Sequence, residues 1–291
     1  MTVSLSSRAH RYLEAANRLH EIELSGQPES ERLSAIKPLL TELAAQRELF
    51  PLAAFPRAPG TPGGLFRLVE FSDQRGALYM SLGYTGRINP PHTHASWALV
   101  AGVSGGVELN VIYERADDGS VDGEAELRLR EEIPVGPGQI GVVETGHYHT
   151  IEVVSDEPVL HLHAYGHAVD APGFSLPAFD SPESRTYKLR TSGAFQPPLA
   201  FATLDEAADD IAAGRAILIA AHEPTLAGPY VLQADAATAV ERLDGAGAPK
   251  DAPVVVIGDD AGALAIAKAL YAAGRPLVFQ LAAHSSERLA A

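Results

Sequence analysis

The stretch Gly86-Arg-Ile-Asn-Pro-Pro-His92-Thr-His94 decides how this sequence is interpreted, together with the later stretch Gly138-Gln-Ile-Gly-Val-Val-Glu-Thr-Gly-His-Tyr-His149. Each contains a His-x-His pair and lies among short apolar segments. Side chains at positions i and i+2 of a strand point to the same face, so His92 and His94 are expected to point into one interior. His149 follows on a later predicted strand that can lie opposite the first. Two such pairs favour a metal site over isolated core or surface histidines.

The region around these histidines has the pattern of an all-β barrel. From about Leu65 to Tyr165, segments rich in Val, Leu, Ile and Tyr alternate with Gly, Pro and Asp turns. Many short strands at such spacing are typical of a sandwich or barrel. Residues 1–58 instead carry apolar residues at helical spacing, which predicts helices before the barrel. The predicted strands are Ala77–Gly83, Ser96–Val103, Glu108–Glu114, Glu124–Glu131, Gln139–Val143, His149–Val154 and Pro158–Tyr165.

The last third of the chain has a different pattern, typical of an α/β domain. A capping box from Thr203 to Glu206 predicts a helix start, and continuous apolar segments are typical of parallel strands. We therefore predict two domains: an all-β barrel with N-terminal helices in residues 1–189, and an α/β domain with a parallel sheet in residues 200–291. Residues 190–199 have the composition of a linker. We expect few contacts across it, so that a chain ending near Ser192 folds alone. The predicted elements of the second domain are strands Ala216–Ala220, Pro253–Ile257 and Pro276–Leu281 and a helix over Gly262–Ala273.

Composition narrows the function classes. Hydrophobic residues make up 46% of the chain and charged residues 20%, which is usual for a globular protein. No apolar run approaches the roughly 20 residues that span a membrane, and the N-terminus lacks the apolar core of a signal peptide. We expect a cytoplasmic protein. The net charge of −15 argues against nucleic acid. The chain has no cysteine, so any metal must be held by His or carboxylates.

The two histidine stretches resemble the two sequence motifs of the cupin family. Glu144 stands where the second motif usually has Pro, and Val153 where a trailing Asn is usual. The resemblance implies that His92, His94 and His149 are the metal ligands. It leaves His147 facing away from the metal or supporting a ligand.

Two further features resemble the cysteine dioxygenase type of cupin. Most cupins carry a Glu shortly after the second His, where this chain has Ala98 and Leu99, and the thiol dioxygenases use three His alone. The run His161-Leu-His163-Ala-Tyr165 resembles their Ser-x-His-x-Tyr triad, with His161 in place of Ser. The resemblance implies that these three side chains are catalytic. Trp97 is interpreted as barrel packing or a pocket wall.

The same family places an Arg on an early strand, where it pairs with a substrate carboxylate. Phe66-Arg67-Leu-Val-Glu70 resembles that strand, and a guanidinium matches a carboxylate bidentately. A surface position for Arg67 beside Glu70 stays open, and Arg87 is the second candidate for binding the carboxylate.

The resemblance implies an Fe(2+) enzyme that adds both atoms of dioxygen to a small thiol and gives a sulfinate. Cysteine, 3-mercaptopropionate and related mercapto-acids all fit. Imidazole ligands alone do not fix the metal, since Zn, Ni and Cu also bind them. The alternatives are a cupin oxygenase for a non-thiol substrate, a metal-binding or sensing cupin without catalysis, and a purely structural barrel. No nucleic acid or membrane partner is expected, and assembly into a homo-oligomer stays open.

Residues 200–291 resemble a rhodanese domain, from Leu204-Asp-Glu-Ala through His222-Glu-Pro224 to Pro253-Val-Val-Val-Ile-Gly258. Gly258 occupies the place of the catalytic Cys, so the resemblance implies an inactive domain used for packing, dimerisation or regulation. Asp259 and Asp260 follow at a predicted helix N-terminus, where they repel anions. A dinucleotide site is the alternative, but its fingerprint needs Gly where Asp260 stands.

Overall fold

The computed structural model describes residues 3–221 and 226–282. Its N-terminal part consists of helices α1 (Leu5–Glu23) and α2 (Glu29–Ala45), followed by two short 3₁₀ turns. The next elements are strands β1 (Gly63–Val69), β2 (Arg75–Gly83), β3 (Ile88–His92), β4 (Ala98–Gly105), β5 (Glu108–Arg115), β6 (Leu127–Val135), β7 (Ile140–Val143), β8 (Tyr148–Val153), β9 (Val159–His167), β10 (Ser175–Phe179) and β11 (Tyr187–Thr191). The last part contains β12 (Phe201–Ala202), α3 (Leu204–Ala212), β13 (Ile217–Ala220), β14 (Val231–Gln233), α4 (Ala239–Gly245), β15 (Val254–Ile257), α5 (Asp260–Ala272) and β16 (Val278–Leu281).

Strands β1 to β11 form two antiparallel sheets whose inner faces meet. One sheet has the order β1-β2-β9-β4-β7 and the other β11-β10-β3-β8-β5-β6. Contact between the sheets is direct, since the rings of His94 and Tyr165 lie 5.0 Å apart and the Nδ1 atom of His161 lies 3.4 Å from Glu108. Alternate residues of each strand therefore line a shared interior, which places the predicted site residues of β9 opposite β5 and β8.

Each strand predicted from the sequence overlaps an observed one, but β10 and β11 of the barrel and the short β12 and β14 of the α/β part were not predicted. Strand β11 also includes Arg190 and Thr191, which the sequence assigned to the linker. Strand β10 contains Pro177, which argues against a strand in sequence-based prediction. Strand β11 does alternate Tyr187 and Leu189 with Lys188 and Arg190, but it is short and largely exposed and directly precedes the segment with linker composition.

The two N-terminal helices pack on the outside of the first sheet. Trp97 points outward to them, because its indole N–H donates to the buried carboxylate of Glu23 at 2.9 Å. Glu23 also pairs with Arg32 and Arg75. Trp97 therefore belongs to the packing between helix and barrel and does not line a pocket. Within residues 3–221 and 226–282, no helix combines the length and apolar character needed to cross a membrane.

The α/β part has the predicted parallel sheet, in the order β12-β16-β15-β13-β14. Its capping box is confirmed: Thr203 accepts from the backbone of Glu206, and the Glu206 carboxylate accepts from the backbone of Thr203. At α5, the Asp259 side chain accepts from the Gly262 N–H at 2.7 Å, and Asp260 accepts from Gln280 at 3.0 Å. These two carboxylates occupy the N-terminus of α5. The segment His222-Glu-Pro224 lies outside the described residues.

The expectation that few contacts cross residues 190–199 is wrong. One continuous apolar core joins Leu5 and Phe55 of the N-terminal part to Ile211 and Phe279 of the α/β part. Helix α1 adds polar contacts, since the Ser6 N–H donates to Asp210 at 2.8 Å and buried Arg8 donates to the Phe201 carbonyl at 3.2 Å. Proline and glycine in a connecting segment thus do not imply a sparse interface here. The domain division itself stays a prediction.

A buried group of charges also crosses this boundary. The Arg67 guanidinium pairs with Glu70 and, at 2.7 Å, with Asp170, and its Nε donates to the Pro197 carbonyl at 2.9 Å. Lys268 of α5 lies 3.2 Å from the same Asp170 carboxylate. Burial opposes ionisation of Asp170, but the hydrogen bonds and charges of Arg67 and Lys268 together outweigh this and lower its pKa. Two cations thus face two carboxylates in a site that depends on the α/β part.

We expect that a chain ending at Ser192 does not fold, because truncation exposes the shared core and removes Pro197 from Arg67 and Lys268 from Asp170. Size-exclusion chromatography and thermal unfolding by circular dichroism measure this. The control is Lys268→Ala in the full chain, which removes one ion pair and should lower Tm by only a few degrees. A soluble truncated chain that melts cooperatively at the temperature of the full chain would contradict the shared core.

Candidate metal centre

Three histidine side chains converge between the two sheets. His92 at the end of β3 pairs in register with His149 of β8, and His94 joins them from the loop after β3. The prediction that both early histidines lie on one strand is therefore wrong in detail, although both reach one point. One ligand nitrogen from each ring lies within 4.8 Å of the others. The Nε2 atoms of His94 and His149 are 3.0 Å apart. Two imidazoles that bind one metal at right angles are expected to place their nitrogens about 3 Å apart.

Hydrogen bonds to the far side of two rings fix which nitrogen faces the cluster. The Nδ1 atom of His92 lies 2.9 Å from the Pro90 carbonyl, and that of His149 lies 3.1 Å from the Asn110 side-chain oxygen. Both partners are acceptors, so each Nδ1 carries the proton and each Nε2 keeps its lone pair. Such outer bonds orient metal-binding imidazoles and raise their basicity.

Burial keeps these rings neutral. It lowers the pKa of His92 to about 4, and it holds the pKa values of His94 and His149 well below the usual range. A neutral imidazole is the form that binds a metal. In the described part of the chain, the three histidines form this cluster without a carboxylate. The donor set therefore fits a divalent first-row metal, which would keep its full charge.

A phenol–imidazole pair lies beside the cluster. The Tyr165 hydroxyl is 3.0 Å from Nδ1 of His163, and the Tyr165 ring stands next to His94. Burial raises the pKa of Tyr165 and lowers that of His163 to about 3, so both groups are neutral near pH 7. The structure thus brings two of the three predicted catalytic side chains together, next to the histidine cluster.

The third predicted member, His161, lies on the same face of β9 but makes no hydrogen bond to the pair of His163 and Tyr165 in the described chain. Its Nδ1 atom lies 3.4 Å from the Glu108 carboxylate, and neither ring nitrogen has a hydrogen-bond partner in the described chain. Sequence reasoning missed Glu108 and its neighbour Asn110 on β5. The available signal was their alternation with apolar Leu109 and Val111, which places polar side chains on the inner face.

The two candidate carboxylate-binding arginines lie in different places. Arg67 is fully buried and engaged by Glu70 and Asp170. Arg87 is only partly buried, and its Nη1 donates to Ser81 at 2.8 Å and to the Leu82 carbonyl at 3.0 Å. Ser81 is the register partner of His161, so the structure brings Arg87 to the inner face and does not bring Arg67 to the histidines.

His147 lies outside the cluster, at the rim of the barrel. Its Nε2 atom is 3.0 Å from Arg130, and its Nδ1 atom is 3.5 Å from Glu144. The neighbouring Gly146 has a φ of 86°, a left-handed conformation that turns the chain between the two histidines. His147 is therefore placed to act neither as a ligand nor as the support of one.

Comparison with known proteins returned structural similarity only. No protein-family model and no curated protein match the chain. Similar solved structures include the oxalate decarboxylase of Lactobacillus farciminis in a formate complex, with 17% identity and TM-score 0.31 over 41% of this chain and 33% of that chain. The oxalate decarboxylase of Bacillus subtilis, studied for its Mn(II) centres, has 17% identity and TM-score 0.32 over 44% and 30%. An RmlC-like cupin with a double-stranded β-helix fold from Methanocaldococcus jannaschii has 11% identity and TM-score 0.28 over 39% and 88%. These neighbours are cupin proteins, and this chain covers about a third of the oxalate decarboxylases.

Replacement of single histidines tests the ligand assignment. We expect His92→Ala, His94→Ala and His149→Ala each to lose most of the bound metal, because two imidazoles remain. His147→Ala is the matched control, since its ring lies at the rim, and it should keep full metal content. Metal is measured by inductively coupled plasma mass spectrometry on folded protein. Full metal content in any of the first three variants would remove that residue from the ligand set.

Proposed function

We propose that this chain is an iron-dependent thiol dioxygenase that oxidises a small mercapto-acid to its sulfinate. The ligand set carries the proposal: three neutral imidazoles without a carboxylate, beside the buried pair of Tyr165 and His163. His92, His94 and His149 are the residues that hold Fe(2+). When bound there, ferrous iron supplies open positions at which a thiol sulfur and dioxygen can react.

The overall reaction needs no other reactant. A thiol and dioxygen give a sulfinate and one proton, with two S–O bonds formed and the O–O and S–H bonds broken. The sulfur loses the four electrons that dioxygen takes up. The chain therefore needs to bind a small thiol and dioxygen and to manage one proton, without a reductant or a second cofactor.

Tyr165 and His163 are the groups we assign to the proton. Burial keeps the proton on the Tyr165 hydroxyl, and the neutral His163 ring holds that hydroxyl at 3.0 Å. A protonated phenol beside the histidine cluster can donate a hydrogen bond to a bound substrate or to a reacting oxygen atom. Because His161 faces Glu108, it does not take the place of the family's Ser as a partner of His163.

Arg87 is the residue we assign to the substrate carboxylate. It is partly exposed, its hydrogen bonds to the described residues are made by Nη1, and it lies at the inner face beside Ser81. Arg67 is unsuited to this role, because two carboxylates of the protein already neutralise its guanidinium. This assignment favours thiols that carry a carboxylate, such as cysteine and 3-mercaptopropionate.

We propose that the α/β part is an inactive rhodanese-like domain with a packing role. Two observations support this: Asp259 and Asp260 occupy the N-terminus of α5, and the apolar core is shared with the barrel. The domain contains no cysteine that could accept sulfur. We place the protein in the cytoplasm, acting on small molecules, with no part for nucleic acid or membrane.

Oxygen uptake by the iron-loaded protein tests the proposed reaction and the role of Arg87. We expect uptake that depends on a mercapto-acid, with an equal amount of sulfinate formed. Arg87→Ala should raise KM for the mercapto-acid roughly 10- to 100-fold, as expected for loss of a charge-assisted hydrogen bond, and should leave KM for 2-mercaptoethanol unchanged. Arg130→Ala, an exposed arginine at the rim, is the control. If no thiol supports uptake although iron is bound, the reaction is another one, and an oxygenase for a non-thiol substrate becomes the leading alternative.

Tyr165→Phe tests the proton assignment. Removal of one hydroxyl should leave iron content unchanged and lower turnover roughly 10²- to 10⁴-fold, the range for a positioned proton-handling group. Tyr113→Phe, which removes a hydroxyl from the outer face of β5, is the matched control. Turnover equal to that of the wild-type protein would exclude Tyr165 from the mechanism.

A further inference from the structure

Strand β5 places a carboxylate and an amide inside the barrel, behind the metal site. Glu108 and Asn110 are both buried on its inner face, at 0% and 2% exposure. The Oε2 atom of Glu108 has no hydrogen-bond partner among the described residues. Burial of a charge is costly unless it is paired, so the retention of a carboxylate at this position calls for a role beyond packing.

The amide of Asn110 connects that carboxylate to a metal ligand. Its oxygen accepts from Nδ1 of His149 at 3.1 Å, and its nitrogen donates to Glu108 at 3.1 Å. An amide has one acceptor end and one donor end, so only this orientation satisfies both neighbours. The carboxylate therefore fixes the amide, and the amide fixes the proton on Nδ1 of His149.

The Oε1 atom of Glu108, which accepts from Asn110, also faces strand β9. It lies 3.4 Å from Nδ1 of His161, whose ring is fully buried on β9. Glu108 thus contacts Asn110, which is hydrogen-bonded to His149 of the cluster, and His161, which lies on the strand of His163 and Tyr165. Its hydrogen bond from Asn110 directs the buried charge towards His149.

We propose that Glu108 is a positioning residue that acts through Asn110 to hold His149 in its metal-binding tautomer and so strengthens metal binding. Hydrogen bonds to an acceptor that is itself polarised by a charge are stronger, which makes the imidazole a better donor to a metal. The inference rests on the metal centre of the proposed function but not on the substrate.

Titration of the metal-free protein with Co(II) tests this role through affinity and through the visible absorption of the bound ion. Glu108→Gln removes the charge and keeps the shape, and Asn110→Ala cuts the connection. We expect each to weaken Co(II) binding roughly 10- to 100-fold, as found for outer partners of ligands, and to shift the absorption bands. The double variant should bind no more weakly than Asn110→Ala alone, because the carboxylate reaches His149 only through the amide.

Glu70→Gln is the matched control. Glu70 is a buried carboxylate of the same barrel that pairs with Arg67 and accepts from Tyr79, and it has no ion pair with a histidine among the described residues, so its replacement should leave Co(II) affinity and spectrum unchanged. Wild-type affinity in Glu108→Gln, or an equal further loss when it is added to Asn110→Ala, would overturn the proposal. If Glu108→Gln does not fold, wild-type affinity and spectrum in Asn110→Ala overturn it alone. A wild-type protein that binds no Co(II) would instead contradict the metal centre itself.

Discussion

Three imidazole rings must stay neutral while they face one point inside a barrel, and the rest of the site depends on that condition. Burial supplies the neutrality, since it lowers the pKa of His92 to about 4 and holds those of His94 and His149 well below their usual range. Burial alone leaves each ring free to carry its proton on either nitrogen. The Pro90 carbonyl and the Asn110 amide remove that freedom for two rings, so that Nε2 faces the cluster. Both partners lie on strands of the barrel, Pro90 on β3 and Asn110 on β5. The register of β3 and β8 places His92 opposite His149.

The same interior separates two kinds of charge. The buried charges around Arg67 are all paired: Arg67 pairs with Glu70 and Asp170, and Lys268 of the α/β part pairs with Asp170. These cations and carboxylates neutralise one another. Arg87 is more open, and its charge reaches the histidine side of the interior, where it adds to the effect of burial on the pKa of His163. An acidic protein with a net charge of −15 thus keeps a local cation near its candidate site. The proposal of an anionic substrate follows from this local arrangement and not from the overall charge.

The sequence predicts the cluster and the barrel because both depend on local patterns. Paired histidines at strand spacing and short alternating segments are visible without knowledge of the fold. The environment of Arg67 could not be predicted, because Asp170 and Lys268 reach it only through tertiary packing. The same holds for residues 190–199, whose Pro and Gly content resembled a linker although Leu199 pairs with Arg67. Glu108 is an intermediate case: its alternation with apolar residues was a usable signal for an inward position that the sequence analysis did not use, and only the fold shows that it meets Asn110 and His161.

Anomalous diffraction at the iron absorption edge, recorded from crystals of the iron-loaded protein, tests the central claim most directly. We predict a single anomalous peak bound by the Nε2 atoms of His92, His94 and His149 at about 2.1 Å, the distance usual for imidazole on a first-row metal, with no carboxylate among the protein ligands. A peak at another site, or an iron that takes a carboxylate or His147 as a ligand, would contradict it.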